Sequence, residues 1–252
     1  VTSLIRDKKS IQDIMLRLKP YGVTVDGQFW VDDLDNMAWA NSYEQIIAHD
    51  VGLWVIITDK ANLTKNSVAK GLAALAFMVQ SDKSLPVLIL STETSIDSGI
   101  LPLPFKHAQV FPPDTATLPA KIVALLNTPV VKNDVPYRLG FHPLRELGLW
   151  LEIGPGKSAK WAGVMLGVNG CDINFQTYGD ARKLPEHSIL EYPQQGLKLE
   201  LSDTEFIAWA IQNKLDSSKS YFARITALPD KIIFGAYSND DETDMFVINF
   251  SS

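Results

Sequence analysis

The chain has 252 residues, of which 46% are hydrophobic and 21% charged, a composition that excludes intrinsic disorder and leaves room for one large domain or two ordinary ones. A formal net charge of −6, with no basic run longer than Lys8-Lys9, argues against general nucleic-acid binding, which needs clustered Lys and Arg. No segment supplies the roughly 20 consecutive apolar residues of a membrane span, so no membrane partner is expected.

The first residues, which begin at Val1, lack the basic, apolar and small-residue regions of a signal peptide. The single cysteine, Cys171, cannot form an internal disulfide. Cytoplasm is therefore the expected compartment.

Thr2 to Ile5 reads as the tail of a first strand, and Ser10 to Lys19 as a helix with Ile11, Ile14, Met15 and Leu18 at helical spacing. Pro20, Tyr21 and Gly22 end that helix. Gly22 to Val31, rich in β-branched and aromatic residues, predicts a second strand running into the acidic loop Asp32-Asp33-Leu34-Asp35. Trp39, Tyr43, Ile46 and Ile47 share one face of a helix over Trp39 to His49. Val51 to Asp59, VGLWVIITD, is apolar on both faces, as expected of a strand inside a parallel sheet covered by helices on both sides.

A buried helix follows over roughly Ser67 to Gln80, then strands at Leu85 to Leu90 and Ala108 to Phe111, then a helix from Leu118 to Leu126. Strand and helix alternating about five times predicts a doubly wound parallel sheet over residues 1–129.

After Pro129 the period changes. Residues 130–136 read as a linker, and 137–252 as a β-rich domain, an antiparallel sheet or sandwich containing one helix. Its predicted strands are Gly148 to Ile153, Trp161 to Val168, Asp172 to Tyr178, Gly196 to Leu201, Tyr221 to Leu228, Lys231 to Tyr237 and Met245 to Phe250. Leu228-Pro229-Asp230 and Asn239 to Asp244 suit hairpin connections. The helix is predicted over Asp203 to Leu215, capped by Asp203, with Phe206, Ile207, Ala210 and Ile211 on one face.

Several segments of the first half resemble a Toll/interleukin-1 receptor (TIR) domain. Ser3-Leu4-Ile5-Arg6-Asp7 echoes the motif that ends the family's first strand; His49-Asp50-Val51 to Thr58 is similar to its central segment. Pro86 to Leu90 and Leu103-Pro104 to Phe111 resemble its last two strands and their link. The resemblance covers about residues 1–127 and implies a flavodoxin-like sheet. Enzymatic members cleave NAD with a glutamate near the start of the helix after the third strand, in a Ser-x-Trp-Cys-x-x-Glu-Leu pattern. Here that glutamate position falls on Gly71 or Lys70, and no Trp-Cys pair is present. The departure implies a non-catalytic interaction module with a protein partner and no bound cofactor.

A degenerate response-regulator receiver is the rival resemblance, with Asp59 as phosphoacceptor and Ser91 or Thr92 ending the fourth strand. Pro112-Pro113 replaces its Lys-Pro, and the acidic pair that would hold Mg2+ is reduced to Asp7, so this too implies a pseudo-version.

Ligands of doubly wound sheets sit at the carboxyl ends of the strands. Candidate ligand-binding residues there are Asp7, Asp32, Asp33, Asp59, Ser91 and Thr92, with Trp39 nearby in sequence. Such carboxylates suit a ribose or a hard cation, though Asp is equally a helix cap. Asp59 and Glu44 are the candidates for a relocated catalytic acid in an NAD- or nucleoside-processing enzyme, the alternative function. The four histidines show no metal-ligand spacing, and no metal site is expected. Self-association stays open.

Overall fold

The computed structural model describes the whole chain except residues 94, 95, 97, 130–134, 238–244 and 252. The chain divides into two compact units: residues 1–33 and 38–132, and residues 133–251 together with Leu34–Met37. The linker expected at 130–136 lies mostly outside the described residues, as does the Asn239 to Asp244 turn.

The first unit runs β1 (Thr2–Ser3), α1 (Lys8–Leu18), β2 (Gln28–Phe29), α2 (Tyr43–Ile47), β3 (Trp54–Thr58), α3 (Lys60–Leu63), α4 (Asn66–Asp82), β4 (Val87–Ser91), β5 (Gln109–Phe111) and α5 (Leu118–Asn127). Its five strands are all parallel, in the order β2-β1-β3-β4-β5. That is the flavodoxin-like order, in which the winding direction reverses between β1 and β3. Every residue of β3 is buried. Val55 and Ile57 face Ile14 and Leu18 of α1 and Leu118 and Ile122 of α5. Trp54 points the other way, meeting Phe105 edge-on at 5.6 Å and donating its Nε1 proton to Thr2 Oγ1 at 3.0 Å. Each such wholly buried apolar side chain contributes about 1.5–3 kcal/mol relative to exposure.

The second strand is shorter than expected. Lys19–Tyr21 forms a 3-10 turn closed by Gly22 at φ 71°, and only Gln28 and Phe29 of the β-branched stretch find partners, because β1 itself offers two residues. Trp39 lies in a 3-10 turn, Ala38–Ser42, ahead of the short α2.

The second unit has nine described strands: β6 (Tyr137–Leu144), β7 (Gly148–Pro155), β8 (Val164–Asn169), β9 (Ile173–Asp180), β10 (Gln194–Leu201), β11 (Thr204–Ile211), β12 (Lys219–Ile225), β13 (Lys231–Ala236) and β14 (Met245–Asn249). They form two antiparallel sheets, β6-β7-β12-β9 and β10-β11-β8-β13-β14. The sheets meet through aromatic pairs: Tyr137 with Phe234 at 5.1 Å and Phe141 with Phe250 at 5.6 Å.

Three expectations are corrected. The helix predicted over Asp203 to Leu215 is strand β11, and among its described residues this unit contains no helix. Ser202 and Asp203, at φ 46° and 60°, make the tight turn between β10 and β11, so Asp203 closes a hairpin instead of capping a helix. Leu228 to Asp230 is not a hairpin connection: β12 and β13 belong to different sheets, so this segment carries the chain across. Strand β6 is an addition, pairing with β7 along its whole length.

Candidate functional site

Three of the candidate carboxylates in the first unit, Asp7, Asp32 and Asp59, accept hydrogen bonds from other residues of that unit. Asp7 caps α1, accepting from the Lys9 amide at 2.9 Å and the Ser10 hydroxyl at 2.5 Å. These bonds, with the Ser10 hydroxyl foremost, hold its pKa below the usual Asp value. Asp59 caps α3, its Oδ1 accepting from the Asn62 amide at 2.7 Å and side chain at 2.9 Å. Asp32 accepts from Ser67 Oγ at 3.0 Å, joining the end of β2 to the start of α4. Asp33 anchors the following turn, its carbonyl accepting from the Ala38 amide.

Ser91 Oγ accepts from the Glu93 amide at 3.0 Å, and Glu93 Oε1 accepts from the Lys60 amide at 3.3 Å. The Thr92 amide donates to the Thr58 carbonyl, prolonging the β3–β4 pairing by one residue. The loops after β3 and β4 are thus tied together by the Glu93 side chain, which was not among the candidate residues, and by the Thr92 backbone. Glu44 is exposed on the first turn of α2.

Trp39 is wholly buried and so lines no open surface. It packs on α4 beside Trp30: a Cβ at Gly71 would lie 2.9 Å from Trp30 Cζ2 and 3.0 Å from Trp39 Cβ. The other position matching the family's glutamate, Lys70, is also buried, at 9% exposure. The Trp30 indole and the Trp39 Cβ therefore occupy the space where an acidic side chain at position 71 would project.

A second polar cluster, not anticipated from the sequence, lies on the four-stranded sheet of the second unit. Glu152 is only 4% exposed. Its Oε1 accepts from Ser220 Oγ at 2.6 Å and from the Arg182 amide at 2.8 Å, while Oε2 pairs with His142 Nε2 at 2.7 Å. Ser220 Oγ in turn accepts from Arg138 at 3.0 Å, and the same guanidinium donates to the carbonyls of Pro155 and Lys219. Burial pushes the Glu152 pKa up, but the bonds from His142, Ser220 and the Arg182 amide outweigh it and leave the carboxyl below its ordinary value.

The connectivity matters chemically. In a nucleophile–base–acid triad the serine donates to the histidine. Here Ser220 and His142 both bind Glu152, so the carboxylate is the hub and the serine is not activated. The cluster joins β6, β7, β12 and the segment after β9. Its sequence signal is alternation: Arg138, Gly140 and His142 interleave with Tyr137, Leu139 and Phe141, and Glu152 is a lone acid in the apolar run Leu149 to Ile153. Deeper in the same unit, the Tyr221 hydroxyl donates to Gln176 Oε1 at 2.9 Å, and complete burial pushes its pKa up.

Among the described residues, no three His, Cys, Asp or Glu side chains group as metal ligands, and no helix is long and apolar enough to cross a membrane. No protein-family model matches the chain. No curated protein matches it either. Among solved structures, translation elongation factor SelB from Methanococcus maripaludis in its apo form is similar over 98% of this chain and 78% of that one, at 10% identity and a TM-score of 0.32, a likeness too loose to inform function.

Proposed function

We propose that the chain is a non-catalytic, cytoplasmic interaction protein: a TIR-like module that recognises a partner protein, joined to a β-rich module that supplies a second binding surface. The observation that carries this reading is the packing at Gly71. NAD cleavage by TIR enzymes relies on a glutamate at the position that matches Gly71 or Lys70, which stabilises charge as nicotinamide leaves. Neither residue is an acid: Gly71 has no side chain, with Trp30 and Trp39 filling the space beside it, and Lys70 is a buried cation. The helix-cap role of Asp59 supports the same reading, since it holds one carboxylate oxygen, Oδ1, on the Asn62 amide and side chain.

The test is incubation of the purified protein with NAD, with nicotinamide release followed by chromatography. No release above the buffer control is expected. Turnover that disappears in Asp59→Ala or Glu44→Ala would establish a relocated acid and overturn the proposal.

A further inference from the structure

At one end of the four-stranded sheet, the turn before β7, the start of β9 and the residues after β12 line an open pocket of about 440 Å³. Small-molecule sites span roughly 300–1,000 Å³. The lining includes Glu146, Leu147, Asn174, Arg224 and Leu228, with Asp35 from the Leu34–Met37 segment that belongs to this unit.

Arg224 is held in place before any ligand arrives. The strand register sets it between Trp150 on β7 and Phe175 on β9. Its guanidinium carbon lies 6.0 Å from the Trp150 ring and 5.7 Å from the Phe175 ring. Its Nε donates to Asn174 Oδ1 at 2.7 Å. With Nε engaged, the two terminal nitrogens remain as an end-on fork, and among the described residues they have no acceptor. Such a fork matches the two oxygens of a carboxylate. Glu146 and Asp35 likewise have no cationic partner among the described residues.

The lining therefore offers one oriented cation, two carboxylates and leucine side chains. A simple anion would satisfy Arg224 but face two negative groups. A simple amine would leave the fork empty. We infer that the pocket binds a free apolar α-amino acid, its carboxylate on Arg224, its ammonium on Glu146 and Asp35, and its side chain against Leu147 and Leu228. This deepens the reading of the second unit as a binding module and is independent of whether the first unit turns over NAD.

Isothermal titration calorimetry and thermal shift of the full chain with L-leucine and L-phenylalanine test it. Saturable binding and a raised melting temperature are expected at millimolar ligand. Leucinamide, which lacks the carboxylate, and 4-methylpentanoic acid, which lacks the ammonium, should each bind at least about tenfold more weakly. Arg224→Gln should lose a similar factor. Glu146→Gln alters an exposed side chain and keeps the test interpretable should Arg224→Gln fail to fold. Neither heat nor melting shift with either amino acid, leucinamide binding as tightly as leucine, or unchanged affinity in Glu146→Gln would each overturn the assignment. Those outcomes leave the nicotinamide measurement untouched, so the two readings can fail separately.

Discussion

Burying the Glu152 carboxyl would by itself favour the neutral form, yet three donors keep it ionised. Its folded pKa lies below the unfolded value of about 4.3. The folded state therefore holds fewer protons, and this stabilisation is complete above that unfolded value and lost as pH falls through the folded one. Glu152→Ala strands His142, Ser220 and the Arg182 amide, and is expected to cost about 3–5 kcal/mol at neutral pH. Urea unfolding near pH 7 and near pH 3 checks this, with the gap to wild type narrowing in acid. At Gly71 two effects compete. Alanine gains about 1 kcal/mol of helix propensity, but the added methyl meets the Trp30 indole and the Trp39 Cβ, and overpacking costs about 1–3 kcal/mol. Gly71→Ala should therefore lower the denaturation midpoint. Neither residue's role was legible from the sequence: Trp30 and Trp39, which close on Gly71, come from segments far from it in the chain. The acids at the strand ends were legible as a group. Their engagement as caps and ties was not, since a capping Asp and a ligand-binding Asp look alike in one dimension.

The clearest element is the most buried one. Val51 to Asp59 is apolar on both faces because helices cover both, and the paired core of that run is β3. Strand β11 shows the opposite case. Phe206 and Ala210, like Ile207 and Ile211, stand four apart and satisfy a helix, while Phe206, Ala208 and Ala210 stand two apart and satisfy a strand. Burial follows the second spacing, with Phe206, Ala208 and Ala210 buried and Glu205, Ile207 and Trp209 more open. A short apolar run carries both periods, and the neighbouring sheet decides. What separates them is the turn: Ser202 and Asp203 are both left-handed, which suits a type I′ hairpin whose preferred residues are Asn-Gly. The double change Ser202→Asn and Asp203→Gly is expected to relieve about 1 kcal/mol of backbone strain and to raise the melting temperature measured by circular dichroism.

At the scale of the whole molecule, the alternation of strand and helix made the parallel sheet readable, because each crossover helix forces the next strand to lie parallel. The pairing of the second unit was not readable, because antiparallel strands can join any neighbour and Leu228 to Asp230 looks like a hairpin although it switches sheets. That switching has a kinetic consequence. Leu149 of β7 pairs with Ile225 of β12, and Val168 of β8 with Ile207 and Ile232, and four of the seven described strand pairings of this unit join strands that are not neighbours in the chain. Closing such loops costs chain entropy before any contact repays it, which slows folding. During synthesis β7 emerges well before β12, and its apolar residues then wait with one edge unmatched. The late strands β12 to β14 complete both sheets, so shielding the nascent second unit from aggregation depends on strands made after most of that unit.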